Sequence, residues 1–299
     1  MRLLRVGPAG QETPAVLVAG REDLAYDLSS LTTDIDGAFL SSGFRQRVEA
    51  AVAGGDLPTI RVSDQRIGAP MARPHAIYAI GLNYVAHAEE ARTQTAVDLP
   101  IEPLVFTKAP NSLCGPQDDI VLPPRSTRGD WEVELGVVIE TPCWQLPDTT
   151  AAAAAIAGYV AVNDVSERDW QLERSGQWMK GKSFPTANPA GPWLVTPDAI
   201  DDPANLTLHL SVNGEVRQNG NTADMVFDPA YLVWYLSQFV RLEPGDLIDT
   251  GTPDGVGLGM AQPTYLREGD LIDLAISGLG AHHHNTVHID TPVGPSEPS

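Results

Sequence analysis

Residues 131–139 alternate as a β-strand that carries Glu132 and Glu134, and side chains two positions apart in extended chain leave the same face. A run of small residues follows, then Asn163-Asp164-x-x-x-Arg168-Asp169-x-Gln171, where Asp164 can bring a third carboxylate to the same spot. Three converging hard oxygens suit a divalent cation such as Mg²⁺. A bare Glu-x-Glu is also what an acidic strand edge presents to water, so the pair needs Asp164 and its flanking residues to become a site.

The chain is long enough for one large domain, or a large and a small one: 299 residues, 42% hydrophobic and 19% charged. A formal net charge of −20 opposes binding to nucleic acid or an anionic membrane surface, both of which require a basic footprint. Residues 1–70 hold 7 basic and 9 acidic side chains and the remainder 12 and 30, so the acidity belongs to the larger part. Cys114 and Cys143 lack ligand spacing and fit a reducing compartment. With no apolar leader-like core near Met1, and an apolar run over 151–162 too short to span a bilayer, a cytoplasmic protein is expected.

Residues 2–6 and 15–19 read as strands and 42–53 as a helix ending at Gly54-Gly55, which makes 1–70 a small N-terminal domain. Proline-rich residues 70–74 join it to a larger unit over 71–288, and a disordered tail is expected over 289–299. Strands are predicted over 76–81, 104–108, 131–139, 158–162, 206–212, 247–249 and 271–276. Leu206-x-Leu208-x-Leu210-x-Val212 runs into Asn213-Gly214, a strong hairpin signal. Gly245-Asp-Leu-Ile-Asp249 recurs as Gly269-Asp-Leu-Ile-Asp273, which predicts two similar strand beginnings. Helices are predicted over 85–91, 149–156, 168–174 and 229–239, the last capped by Asp228, started by Pro229 and striped by Leu232, Tyr235, Leu236 and Phe239.

Several motifs occur in a fixed order: Tyr78-Ala-Ile-Gly-Leu-Asn-Tyr84-Val-Ala-His87-Ala-Glu-Glu90, Phe106-Thr-Lys-Ala-Pro, Asp130-Trp-Glu-Val-Glu-Leu-Gly and Asn163-Asp-Val-Ser-Glu-Arg-Asp-Trp-Gln171. Gly181-Lys-Ser-Phe, Gly191-Pro-Trp-Leu-Val and Thr250-Gly-Thr-Pro-Asp-Gly-Val-Gly257 continue the series. Together they resemble the fumarylacetoacetate hydrolase superfamily, in its branch of acylpyruvate hydrolases and 2-hydroxyhepta-2,4-diene-1,7-dioate isomerases, over roughly residues 70–288. The resemblance implies an α+β fold, a mixed β-roll of that family's C-terminal type with a small N-terminal α/β domain. It also implies an Mg²⁺ or Mn²⁺ cofactor, a homodimer, and a small-molecule substrate with a 2-oxo acid or dicarbonyl unit.

Carried over by position, the metal ligands fall on Glu132, Glu134 and Asp164. His87 and Glu90 stand three apart on a short helix, so the carboxylate can orient the imidazole as a general base, with Glu89 the less well directed rival. Arg168, Gln171 and Lys182 are the candidates to hold negative charge on a carbonyl oxygen, while Arg168 can equally balance Asp164 or Glu132. Lys182 is preferred over Lys180 because Gly181-Lys-Ser-Phe matches the family pattern, although Pro185 stands where that pattern has an acid. Tyr84, Thr250, Gly251 and Thr252 are the substrate-binding candidates, the glycine letting backbone N–H groups approach an anion. Asp254 replaces a small or apolar residue there, which bears on whether the far end of the substrate is anionic. Residues 89–103 are expected to form a lid. His282-His283-His284 cannot converge on one ion from a strand and is expected to be a polar strand.

The activity these expectations favour is metal-dependent hydrolysis of a C–C bond in a 2,4-dioxo acid, with water activated by His87 and Glu90 and a metal-held enolate as leaving group. Decarboxylation of an oxaloacetate-like acid, or isomerase or lyase action on an oxo-dienoate or ureido acid, uses the same site. A non-catalytic binding scaffold is the reading of another class.

Overall fold

The alternating apolar runs pair into sheets because each buries one or both faces and must satisfy its backbone laterally. The structure, a computed structural model, describes residues 1–92 and 101–289. Residues 93–100, which make up most of the expected lid, and the tail from 290 onward lie outside the described residues.

A 12-stranded mixed sheet dominates. Along its main path the order is Thr59–Arg61, Leu24–Asp27, Thr13–Leu17, Arg2–Val6, Asn188–Val195, Ile156–Asn163, Val133–Ile139, Leu247–Asp249, Ile77–Gly81, Leu104–Lys108. The N-terminal strands thus extend the sheet of the larger part, Arg2 and Leu3 pairing with Val195 and Leu194. A second sheet runs Glu215–Asn221, Thr207–Val212, Leu271–Ile276, Gly280–His288, Ile120–Leu122. A short ladder joins Gly129–Asp130 to Ser166–Glu167. Both large sheets mix directions: Leu247–Asp249 runs parallel to Ile77–Gly81, and Gly280–His288 parallel to Ile120–Leu122.

The three central strands, Val133–Ile139, Ile156–Asn163 and Asn188–Val195, are buried along their whole length. Their alternation feeds two cores. Val133, Leu135 and Val137 pack in one with the second sheet, while Val138, Val160 and Val162 pack in the other with Leu3, Phe39 and Phe44 of the N-terminal part.

Local chemistry accounts for the ends of elements. Asn213 and Gly214, with φ of 53° and 77°, close the predicted hairpin between Thr207–Val212 and Glu215–Asn221. The repeated Gly-Asp pairs do start strands alike: Asp246 accepts from Glu243 N at 2.9 Å and Asp270 from Arg267 N at 2.7 Å. The strands themselves enter different sheets. Helix Pro229–Ser237 is capped by Asp228, which accepts from Tyr231 N at 2.9 Å. It buries Leu232, Val233 and Leu236, and Phe239 is 62% exposed because the helix stops before reaching it. Among the described residues no helix is long and apolar enough to cross a membrane.

The histidine run alternates across strand Gly280–His288. His283 points outward to Asp273, at 2.6 Å, while His282 and His284 are buried. His282 Nε2 donates to Gly191 O at 2.9 Å and His284 Nδ1 to Asp118 O at 2.8 Å, and the remaining nitrogens face each other at 3.2 Å. Burial, and for His282 the neighbouring ring, pushes His282 down to about 3; burial pushes His284 down to about 4. Both rings are therefore neutral when folded and take up protons on unfolding below the ordinary histidine value. Stability present above that value is lost as pH falls toward 4. Between pH 7.5 and 5 each ring should cost about 2 kcal/mol. Denaturant unfolding at the two pH values, in wild type and His284→Gln, measures this; a pair that shares one proton in the fold would lose only half as much.

Candidate active site

Register builds the acidic centre. In the antiparallel ladder Val133 pairs with Asn163, so Glu132 and Asp164 lie just beyond the ladder at the same end. Asp164 N donates to Glu132 O at 2.9 Å, and Asn163 Oδ1 accepts from Glu132 N at 3.1 Å. Glu134 projects from the same side, and oxygens of Glu132, Glu134 and Asp164 all lie within 4.8 Å of one another, fully buried. All three expected ligands thus converge.

Such packing of like charge needs cations. Lys182 Nζ lies 2.7 Å from Glu132 Oε2 and 2.7 Å from Asp164 Oδ2. Lys108 Nζ bonds the other oxygen of Asp164 and donates to Ala187 O at 2.8 Å. Arg168 reaches Glu132 Oε1 at 2.6 Å, Asp130 Oδ2 at 2.8 Å and Gln171 Oε1 at 2.9 Å. Burial would raise Glu132, but Lys182 and then Arg168 hold it well below the usual carboxylate range. Among the described residues Glu134 receives only the Gly251 N–H, at 2.7 Å, and burial, followed by Asp164 and Glu132, pushes it well above that range. Burial likewise opposes charge on Lys182, yet Asp164 and Glu132 outweigh it and raise the ammonium.

The lysine reaches this spot because helix Met179–Lys182 lies directly on Arg168–Leu172: a Cβ on Gly181 would sit 2.3 Å from Glu167 O and 2.6 Å from Gln171 N. Lys180 is exposed and donates to Arg174 O. Pro185 is exposed too, and Glu132 and Asp164 supply the support that the missing acid would have given Lys182.

His87 and Glu90 share one face of helix Val85–Arg92, with Nδ1 3.3 Å from Glu90 Oε2. Glu90 also accepts from Gly255 N at 3.2 Å, and a Cβ on Gly259 would fall 2.1 Å from its carboxyl carbon. His87, Glu90, Glu132, Glu134, Arg168, Gln171 and Lys182 line one cavity of about 150 Å³. Glu89 is exposed and does not line it.

The glycine-rich loop after Leu247–Asp249 is placed differently from its expected use. Thr250 Oγ1 donates to Leu135 O at 2.8 Å, and Gly251 N is held by Glu134. These groups fix the centre from behind and face no open space. Thr252 does line the cavity, though its hydroxyl donates to Val133 O at 3.0 Å and accepts from Gln218. Tyr84 is buried outside the cavity lining, its phenol pushed up by burial and by Glu134. Asp254 is exposed.

Three buried residues near the centre were not anticipated. Lys108 is one of only three lysines and sits in a motif that carried the resemblance, so its rarity was a usable signal. Asp130 accepts from Arg168, Trp131 N, Gly257 N and Leu258 N, tying the arginine to the loop that holds Glu90. Asp249 is pushed up to about 8 by burial, with Lys108 opposing and Asp164 reinforcing. Both aspartates stand in motifs already noted, Asp130 before Trp131-Glu132 and Asp249 at the end of the repeated Gly-Asp-Leu-Ile-Asp, but nothing in those motifs shows which groups they meet.

The donor set of three buried carboxylates, one of them destabilised by its neighbours, fits a hard divalent ion that would relieve Glu134. Asp164→Ala would take the carboxylate from the buried Lys108 and leave Lys182 with Glu132 alone, at a cost of about 3–5 kcal/mol. Asp164→Asn and Glu134→Gln keep shape and are the better probes. Calorimetric titration with Mn²⁺ should show affinity reduced at least about 100-fold in each, beyond what loss of a supporting residue gives. Unchanged affinity would remove these carboxylates from the metal site.

The family model for fumarylacetoacetate (FAA) hydrolase C-terminal matches residues 76–288. A Burkholderia multivorans protein named only as a hydrolase is 49% identical over 281 residues, 94% of this chain and 96% of its own. Crystal structures of two proteins superpose over 97% of this chain and 100% of theirs. One is the maleylpyruvate hydrolase of Sphingobium sp. SYK-6 in complex with manganese(II) and pyruvate, at 28% identity and a TM-score of 0.78. The other is the 5-carboxymethyl-2-hydroxymuconate delta-isomerase of Mycobacterium smegmatis, at 30% identity and a TM-score of 0.76. The chain belongs to the fumarylacetoacetate hydrolase family.

Proposed function

We propose that the protein hydrolyses a carbon–carbon bond in a 2,4-dioxo acid, an acylpyruvate-like substrate, with Mg²⁺ or Mn²⁺ held by Glu132, Glu134 and Asp164. The observation that carries this reading is the His87–Glu90 pair opening onto the same cavity as the carboxylates. Bound there, the metal supplies Lewis-acid polarisation of the substrate oxygens that chelate it.

The chain's own residues supply the rest. Glu90 accepts a hydrogen bond from the Nδ1–H of His87, which leaves Nε2 as the lone-pair nitrogen that removes a proton from water. Gly255 N–H and the bare face of Gly259 keep Glu90 in place for that task. As hydroxide adds to the C4 carbonyl, negative charge grows on its oxygen. Lys182 spends two of its three N–H donors on Glu132 and Asp164 and retains one. Gln171 turns its oxygen to Arg168, which leaves its NH₂ group as a donor. Both then stabilise the oxyanion. The C3–C4 bond breaks, its electron pair passes to the pyruvate enolate, and the His87 proton returns to C3, giving pyruvate and a carboxylic acid.

An isomerase, the activity named for one structural relative, would use the same pair to shuttle protons without consuming water. The two thiols, unpaired as Cys114 and Cys143, support a cytoplasmic setting. A homodimer rests on the resemblance.

Turnover of acetylpyruvate in H₂¹⁸O should place one solvent oxygen in the released acetate. His87→Ala should lower kcat about 10²–10⁴-fold while Mn²⁺ affinity is unchanged. Turnover of a dioxo acid without label in the acid product would replace hydrolysis with isomerisation or decarboxylation.

A further inference from the structure

The cavity divides into a charged head and an apolar flank. Besides its charged residues it is walled by Leu82, Phe106, Leu172, Trp178, Val256 and Leu258. Phe106 lies over the Lys182 ammonium, 5.3 Å from its ring centre, and meets Trp178 edge-on at 5.3 Å. Trp178 is seated on the bare backbone of Gly81, where a Cβ would fall 2.6 Å from the indole. The aromatic wall therefore begins at the metal end and leads away from it.

The cations of the cavity already face the site's own acids. Arg168 spends its guanidinium on Asp130, Glu132 and Gln171, and Lys182 bridges Glu132 and Asp164. Lys108 is behind the carboxylates and does not line the cavity. Among the described residues no other Lys or Arg lines it. A second carboxylate on the substrate would lie against Leu, Phe, Trp and Val with Glu90, Glu132 and Glu134 nearby. A buried charge without a partner is strongly disfavoured. A cavity of about 150 Å³ accepts something of the order of a benzene molecule, so the enclosed part of the substrate is small.

We infer that this site selects 2-oxo and 2,4-dioxo acids whose distal end is a short, uncharged tail, and rejects dicarboxylic analogues. The inference rests on the proposed hydrolysis for its choice of head group, and it concerns the other end of the molecule. It separates this chain from relatives whose named substrates carry a second carboxylate, as maleylpyruvate does.

Two arms keep the tests apart. In the first, the Mg²⁺-loaded protein is titrated calorimetrically with 2-oxobutanoate and with 2-oxoglutarate, which share a head and differ in tail charge. 2-Oxobutanoate should bind at least 100-fold more tightly; equal affinity, or preference for 2-oxoglutarate, overturns the inference. In the second, kcat/KM is compared for acetylpyruvate, butyrylpyruvate and fumarylpyruvate, and the last should be at least 100-fold poorer. If no dioxo acid is hydrolysed while the binding order holds, the hydrolytic reading fails and the tail selectivity stands. Trp178→Arg places a cation against Phe106 and should narrow the binding gap at least tenfold; an unchanged gap assigns the selectivity elsewhere and overturns the role given to this wall.

Discussion

The site depends on the cost of holding Glu132, Glu134 and Asp164 together in the interior. Three carboxylates with oxygens within 4.8 Å repel strongly where water is excluded, and only nearby cations make the arrangement tenable. Lys108 and Lys182 take the two oxygens of Asp164, and Lys182 and Arg168 take those of Glu132. Glu134 is left with a backbone N–H and like-charged neighbours, which is why its carboxyl is raised while that of Glu132 is lowered. Three acids against two lysines and an arginine already shared with Asp130 leave the centre short of positive charge. That shortage is the physical basis for a divalent ion.

The fold serves this balance in two ways. Antiparallel pairing of Val133–Ile139 with Ile156–Asn163 sets the carboxylates at one end of a ladder buried on both faces, so the positions follow from register. The loop after Leu247–Asp249 then distributes its backbone N–H groups among acids: Gly251 to Glu134, Gly255 to Glu90, Gly257 and Leu258 to Asp130. One segment thereby positions Glu134, the partner of His87 and the partner of Arg168. Its glycines are required by contact, since a side chain at Gly259 would displace Glu90.

Much of this was legible in the sequence. Period-two spacing found the Glu132–Glu134 pair, helix spacing found His87 with Glu90, and Asn213-Gly214 marked the hairpin. Residues whose role depends on a distant element were not legible. Lys108 ends the last strand on the main sheet path and meets Asp164 from 56 residues away, and Asp130 acts through backbone groups more than a hundred residues away. The loop Thr250-Gly251-Thr252 was found but its direction was not. Sequence shows that a glycine permits close approach and cannot show whether a substrate or Glu134 makes it. The continuity of the N-terminal strands with the main sheet was hidden for the same reason, since pairing of Arg2 with Val195 leaves no local pattern.

Anomalous diffraction from crystals grown with Mn²⁺ tests the central claim most directly. The account predicts a single strong peak bounded by oxygens of Glu132, Glu134 and Asp164, with Lys182 beside it and the remaining coordination open toward the cavity that His87 faces. A peak bound elsewhere, or an empty carboxylate cluster at saturating Mn²⁺, would contradict it.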